Sequence, residues 1–285
     1  AYAFLIEGEG ARVFYSGDFR AHGRKAKLFH HLVNNPPPDI DLLLLEGTTI
    51  GREEQLYPSE EAVQLEFEHL LRDNLGPAFL VASGQNLDRL VTAYKAARRA
   101  GRELVLDIYT AWVLREISSR FVNVPDLCWP GIRVLARGST AASHYRVLLR
   151  YPELFGRFTR ELYESCNTVT EDELALHPGR YLVKTNRVAS LLDRLKPIER
   201  TLVIYSMWEG YLAPAYDRNG RNDLRELQER PDLDFRIVHT SGHASVGDLN
   251  TLAKSMAPGV LAPVHTEHPD EFREIYSHVR LLKDG

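Results

Sequence analysis

The chain has 285 residues, 44% hydrophobic and 26% charged, which suits a folded globular protein with room for one large domain or two ordinary ones. Thirty-five basic against 39 acidic residues give a formal net charge of −4, which excludes a binder held to nucleic acid by overall positive charge, though not one with a local basic face. Cys128 and Cys166 match no metal spacing and no disulfide framework, no apolar run reaches transmembrane length, and no signal peptide is read. A cytoplasmic protein with reduced thiols and no membrane partner is expected.

In chain order, Ala1 to Ile6 already reads as a strand, Glu7 to Gly10 as a turn and Ala11 to Ser16 as a second strand, so a hairpin is predicted. A hairpin makes no core alone, and an upstream part of the domain is expected to be missing. In Ser16-Gly17-Asp18-Phe19-Arg20, Gly17 permits a tight path and leaves Asp18 at the C-terminal edge of the strand. A turn aspartate or an N-cap is the plainer reading of a lone Gly-Asp. Residues 24–33 form a short helix, and its adjacent His30 and His31 point about 100° apart, which suits surface or packing residues better than a chelating pair.

After Pro36-Pro37-Pro38, Ile40 to Leu45 is a continuous apolar run, predicted to be a strand covered on both faces. It ends in Glu46-Gly47-Thr48-Thr49, where a carboxylate needs a cation or hydrogen-bond donors. A helix cap or a surface salt bridge is the competing use of Glu46.

From Ser59 the pattern becomes a regular alternation of strands and helices as far as Tyr205, with a less regular stretch from Thr140 to His177. Such alternation predicts a parallel sheet between helices. Ser83-Gly84-Gln85-Asn86 joins a strand to a helix, and a small Gly-containing loop there offers backbone N–H groups to a phosphate. Arg89, Lys95, Arg98, Arg99 and Arg102 form the densest basic cluster, read first as a solvated helix face and second as a nucleic-acid contact.

Near the end, Phe235 to Val238 and Val260 to Val264 read as buried strands with a capped helix, Ser245 to Met256, between them. A right-handed crossover leaves such strands parallel, so His243 and His265 are predicted at one sheet edge as a metal or acid-base site.

The motifs Ser-Gly-Asp-Phe-Arg at Asp18, Leu-Leu-Glu-Gly-Thr at Glu46, Ser-Gly-His-Ala at His243 and Pro-Val-His-Thr at His265 resemble, in order, those of the metallo-β-lactamase-fold nucleases with a β-CASP insertion. This is the family of ribonuclease J and the pre-mRNA cleavage-and-polyadenylation endonuclease. The resemblance implies an α/β fold, a partial metallo-β-lactamase αββα sandwich carrying an inserted parallel-sheet α/β domain. Residues 1–59 and 207–285 belong to the first and 60–206 to the insertion.

It further implies two Zn²⁺ in the complete protein, with Asp18 and His265 as metal ligands. Glu46 and His243 are the implied catalytic pair, the histidine protonating the leaving oxygen after attack by a metal-bridging hydroxide. Ser241, Gly242, Ala244 and Ser245 are expected to surround the scissile phosphate. Ser83, Gln85 and Asn86, with the basic cluster, are expected to steer a strand of RNA, or of single-stranded DNA. A homo-oligomer is compatible with the sequence.

The family's His-x-His-x-Asp-His motif is absent, and two ligands are too few for a dinuclear zinc site. The chain by itself is therefore expected neither to hold two zinc ions tightly nor to cleave. A hydrolase of small phosphoesters and a non-catalytic binding homologue are the competing functions.

Overall fold

The computed structural model describes residues 2–52, 57–121, 124–164, 167–195, 200–217 and 222–282; Ala1 and Cys166 lie outside them. The chain splits into unit 1, Ala1–Ser59 with Thr240–Gly285, and unit 2, Glu60–His239. Unit 1 opens with the predicted hairpin, β1 (Phe4–Gly8) antiparallel to β2 (Ala11–Tyr15). Glu9 and Gly10 take φ of 51° and 79°, the left-handed pair that lets a two-residue turn follow the twist of its strands. Helix α1 (Ala26–Asn34) leaves His30 and His31 exposed.

Strand β3 (Leu42–Glu46) departs from expectation. Leu43 and Leu45 are fully buried, whereas Leu42 and Leu44 are only half so. Among the described residues, helices cover one face of this strand, so its leucine run is amphipathic by position although not by composition.

Unit 2 begins at α2 (Glu60–Asp73), whose first turn carries Glu60 and Glu61 as the helix dipole favours. The strands β4 (Ala78–Val81), β5 (Glu103–Leu106) and β6 (Ile132–Arg137) alternate with α3 (Leu87–Arg99) and α4 (Ile108–Ser118), close to the predicted positions. The stretch read as irregular is ordered as α5 (Ser139–Arg150), α6 (Pro152–Glu164), β7 (Thr168–Thr170) and α7 (Glu171–Leu176). Among its buried residues, Leu148, Phe158 and Leu162 straddle a break at Tyr151, so no single sequence window shows the period. Then follow β8 (Tyr181–Lys184), α8 (Val188–Leu195), β9 (Thr201–Tyr205), α9 (Asp223–Gln228) and β10 (Leu233–Ile237).

These seven strands are all parallel, in the order β10-β9-β4-β8-β5-β6-β7. Burial alternates with the pleat. Ala78 and Leu80 pack with Phe67, Leu90 and Ala93 on one face, while Phe79 and Val81 pack with Val188, Leu191 and Leu227 on the other. Helices thus cover both faces, as the alternation predicts.

The sequence reading pairs the strand at Phe235 with the one before His265 and ends the insertion at residue 206. Both points are corrected. Strand β10 lies parallel to β9, with Phe235 opposite Val203, and belongs to unit 2, which runs to His239. The α9 crossover sets it beside β9, and a local pattern cannot say which sheet an edge strand joins.

The chain returns to unit 1 with α10 (Val246–Met256), opened by the predicted capping box between Ser245 and Asp248 and closed at Ala257, φ 42°. Strand β11 (Val260–Val264) pairs parallel with β3, and α11 (Phe272–Ile275) follows. The sheet order is β1-β2-β3-β11, with Phe14, Leu43, Leu45 and Leu261 packed on Phe29, Leu249 and Phe272. The described residues of unit 1 hold this one sheet. Among all the described residues, no helix is long and apolar enough to cross a membrane.

Candidate metal centre

Three parallel strands of unit 1 end side by side. Tyr15 of β2 lies opposite Leu44 of β3, and Glu46 of β3 lies opposite Val264 of β11. Asp18 follows β2, Glu46 is the last residue of β3 and His265 comes straight after β11, so pairing alone brings two carboxylates and an imidazole to one sheet edge. His243 enters from the loop before α10. One donor atom from each of Asp18, Glu46, His243 and His265 lies within 4.8 Å of the others.

Two of the four are tied inward. Glu46, 1% exposed, accepts from the amides of Phe19 (3.2 Å) and Ala244 (3.4 Å) on Oε1, and from the Thr48 amide (3.3 Å) on Oε2. Oε2 also lies 3.1 Å from His243 Nδ1. Burial alone would raise the Glu46 carboxyl, but the hydrogen bond and charge of His243, with the Phe19 and Thr48 bonds, hold it below the ordinary carboxylate range. For His243 the bond to Glu46 dominates; burial opposes it, the charges of Glu46 and Asp18 add to it, and the ring is raised above its ordinary value.

The other pair faces outward. His265 Nδ1 lies 2.9 Å from Asp18 Oδ1, with the side chains 59% and 48% exposed. Thr48 Oγ1 sits 3.3 Å from both Nδ1 and the carbonyl oxygen of His265. The two imidazole rings meet edge to face, their centroids 5.5 Å apart. His265 has φ 52°, a left-handed conformation that a non-glycine residue adopts at a cost, and such strain gathers at functional sites. Gly17 is required just upstream: at φ 55°, an added Cβ would stand 2.4 Å from the carbonyl oxygen of Tyr2.

The donor set decides what the cluster can hold. The Glu46 oxygens already accept from four donors, so the Asp18 carboxylate and the His265 ring are the members of the cluster most open to a cation. A carboxylate and an imidazole are donors that a divalent transition metal accepts. They do not fill a dinuclear pair.

The residues expected around a phosphate divide sharply. Gly242 is exposed, with open space where a side chain would be. Ser241 Oγ accepts from the His243 amide at 3.0 Å, and its carbonyl accepts from Arg20 Nη1 (3.2 Å) and His22 Nε2 (2.8 Å). Ala244 is fully buried, its amide on Glu46 and its carbonyl bonded by Thr49 Oγ1 at 2.7 Å, and Ser245 Oγ is the helix cap. Neither Ala244 nor the Ser245 hydroxyl is left for a substrate.

Ser83, Gln85 and Asn86 lie in unit 2. Asn86 Oδ1 caps α3 through the Arg89 amide (3.1 Å), and the Gln85 and Asn86 amides bond back to Ser83, so the loop offers fewer free N–H groups than its composition suggests. In the basic cluster Arg89 and Arg102 are buried, Arg102 donating to the carbonyls of Gly76 and Tyr181 at 3.1 Å each. Lys95, Arg98 and Arg99 are exposed. Thr48, Thr49, Arg20 and His22 were not singled out in the sequence. Thr48 and Arg20 sit inside the quoted motifs and Thr49 directly after one, and each of the three ties one motif to another.

Neither a family model nor a curated protein matches the chain. A crystal structure of a protein of unknown function from Enterococcus faecalis V583 is similar to it, with a TM-score of 0.70 and 22% identity. The match covers 99% of this chain and 59% of that one, so the chain spans about three fifths of the neighbour's length. Together these findings establish a mixed α/β fold shared with a solved protein, with a cluster of one aspartate, one glutamate and two histidines able to hold a metal ion.

Proposed function

We propose that this chain belongs to a metal-dependent hydrolase of phosphodiester bonds, of the metallo-β-lactamase-fold type with a β-CASP insertion, acting on RNA, with single-stranded DNA as the other candidate substrate. One observation carries the reading: Asp18, Glu46, His243 and His265, far apart in the chain, converge within 4.8 Å. In this reading Asp18 and His265 hold zinc. Bound there, zinc would supply a Lewis acid for a phosphate oxygen and lower the pKa of water.

Glu46 anchors Nδ1–H of His243, which fixes the tautomer and turns the other nitrogen outward. The same bond favours the protonated ring, a suitable state for giving a proton to a departing oxygen. Arg20 and His22 pin the Ser241 carbonyl and so set the path of the backbone through exposed Gly242, which is open to a phosphate. Asp18 follows β2 by three residues and His265 follows β11 directly, so both are placed close to paired strand ends, which favours a preorganised site.

The test is cleavage of end-labelled single-stranded RNA by the full-length protein with zinc, wild type against His243→Ala and Asp18→Ala. Loss of a general acid is expected to reduce kcat about 10²- to 10⁴-fold. RNA cut equally well by both variants would sink the proposal. A wild type inert on RNA and active on small phosphoesters would move the function to that class.

A further inference from the structure

Unit 2 contains a cavity of ≈ 400 Å³ at the C-terminal edge of its sheet. Strand β8 lies between β4 and β5, yet the helices after β4 and β5 pack on one face while α8, after β8, packs on the other. Neighbouring loops therefore part in opposite directions and leave a crevice, the place where open parallel sheets take ligands.

The polar side of the cavity is made by Lys184, Asp107, His144 and Arg187. Lys184, 2% exposed, donates to Asp107 Oδ2 at 2.8 Å, and among the described residues that is its only side-chain hydrogen bond. Two N–H donors of a buried ammonium are thus unmatched, a costly state unless a ligand or water accepts them. Asp107 has both oxygens engaged, Oδ1 by the Thr110 amide at 2.7 Å, so its charge serves to balance Lys184. Arg187 is exposed and braced by Ser143 Oγ at 2.8 Å, which leaves its other guanidinium donors free to turn toward the cavity. Burial keeps the His144 ring below its ordinary value and so neutral near pH 7, with a donor and an acceptor to offer. The local balance is one net positive charge.

The lining also includes the apolar and aromatic residues Ile108, Leu135, Met207 and Tyr109, whose hydroxyl accepts from Gln85 Nε2 at 2.7 Å. The volume suits a ligand of nucleotide size. We propose that this cavity binds a phosphomonoester carried on a flat ring, the class of nucleoside monophosphates, with the phosphate on Lys184 and Arg187 and the ring against Tyr109 and Met207. The proposal uses residues of unit 2 alone and stands or falls independently of the metal centre.

The test is titration of the whole chain with adenosine monophosphate, adenosine and inorganic phosphate, followed by calorimetry and amide NMR shifts. Adenosine monophosphate is expected to bind one per chain, about tenfold or more tighter than adenosine, with shifts at residues 83–85, 107–109 and 184–187. Arg187→Gln, an exposed change that spares the fold, is expected to weaken it about tenfold. Lys184→Met, checked for folding by its amide spectrum, is expected to weaken it further. Equal binding of adenosine, binding of inorganic phosphate alone, an unaltered Arg187→Gln variant, or no shifts at these loops would each overturn it.

Discussion

Two buried glutamates, one in each unit, serve opposite ends. Glu60 of unit 2 is fully buried, and its carboxylate takes Arg89 at 3.1 and 3.3 Å and Thr92 Oγ1 at 2.7 Å, while Arg89 passes on to Ser206. Arg89, Thr92 and Ser206 are themselves buried, and these bonds tie α2 and α3 to the end of β9. Glu46 of unit 1 is as deeply buried and accepts from four donors, but one donor, His243, is about a quarter exposed and its second nitrogen lies free of Glu46. The difference is not in the charge but in where its partner faces. A buried carboxylate that holds a buried arginine serves the packing, whereas one that orients a partly exposed imidazole can lend its charge to chemistry at the surface.

The largest test of that contrast is Glu60→Ala, which would take from buried Arg89 the carboxylate that its Nε and Nη2 donate to. A loss of about 3–5 kcal/mol in urea unfolding is expected. A change below about 1 kcal/mol would mean that Arg89 finds another partner.

Glu46→Gln is expected to cost less, about 1–3 kcal/mol, because three amides remain near the side chain to be partly satisfied. Its pH profile is diagnostic. The Glu46 pKa is lowered, so its stabilisation is present above the ordinary value of 4.5 and is lost as pH falls through the lowered value. The His243 pKa is raised, so its share is whole below the ordinary 6.5 and is lost as pH rises through the raised value. The gap in Tm between wild type and variant should thus be widest between pH 4.5 and 6.5 and close on both sides. NMR of the metal-free protein should show the His243 titration moving down toward its ordinary value in the variant. A flat gap, or an unmoved His243, contradicts the coupling.

Asp18→Ala should change stability by less than about 0.5 kcal/mol, because its ion pair with His265 is half exposed and screened. His265→Gly should be equally mild or slightly stabilising, since glycine accepts the positive φ without cost. Both variants are nevertheless expected to lose metal binding. A large stability loss in either would make the outer pair structural, like Glu60 and Arg89.

Much of this was legible in the sequence because it is local. The Glu9-Gly10 turn, the Ser245–Asp248 capping box and the alternation of strand and helix through unit 2 each rest on residues a few positions apart. The convergence of Asp18, Glu46 and His265 was legible too, since each closes a strand of apolar or β-branched residues and parallel strands end together.

What the sequence concealed is non-local. Nothing near Phe235 tells that its strand joins β9 rather than the sheet of His265. Arg89 looks like a surface cation until Glu60, 29 residues away, is placed against it. The Lys184–Asp107 pair spans 77 residues and is visible only once β5 and β8 are known to be neighbours.

Zinc titration of the chain, read by calorimetry and by the histidine ring signals, tests the central claim most directly. The arrangement predicts that the His265 and His243 signals shift together, that at most one ion binds per chain, and that Asp18→Asn abolishes the response. Two tight ions per chain, or zinc that leaves both rings undisturbed, would contradict it.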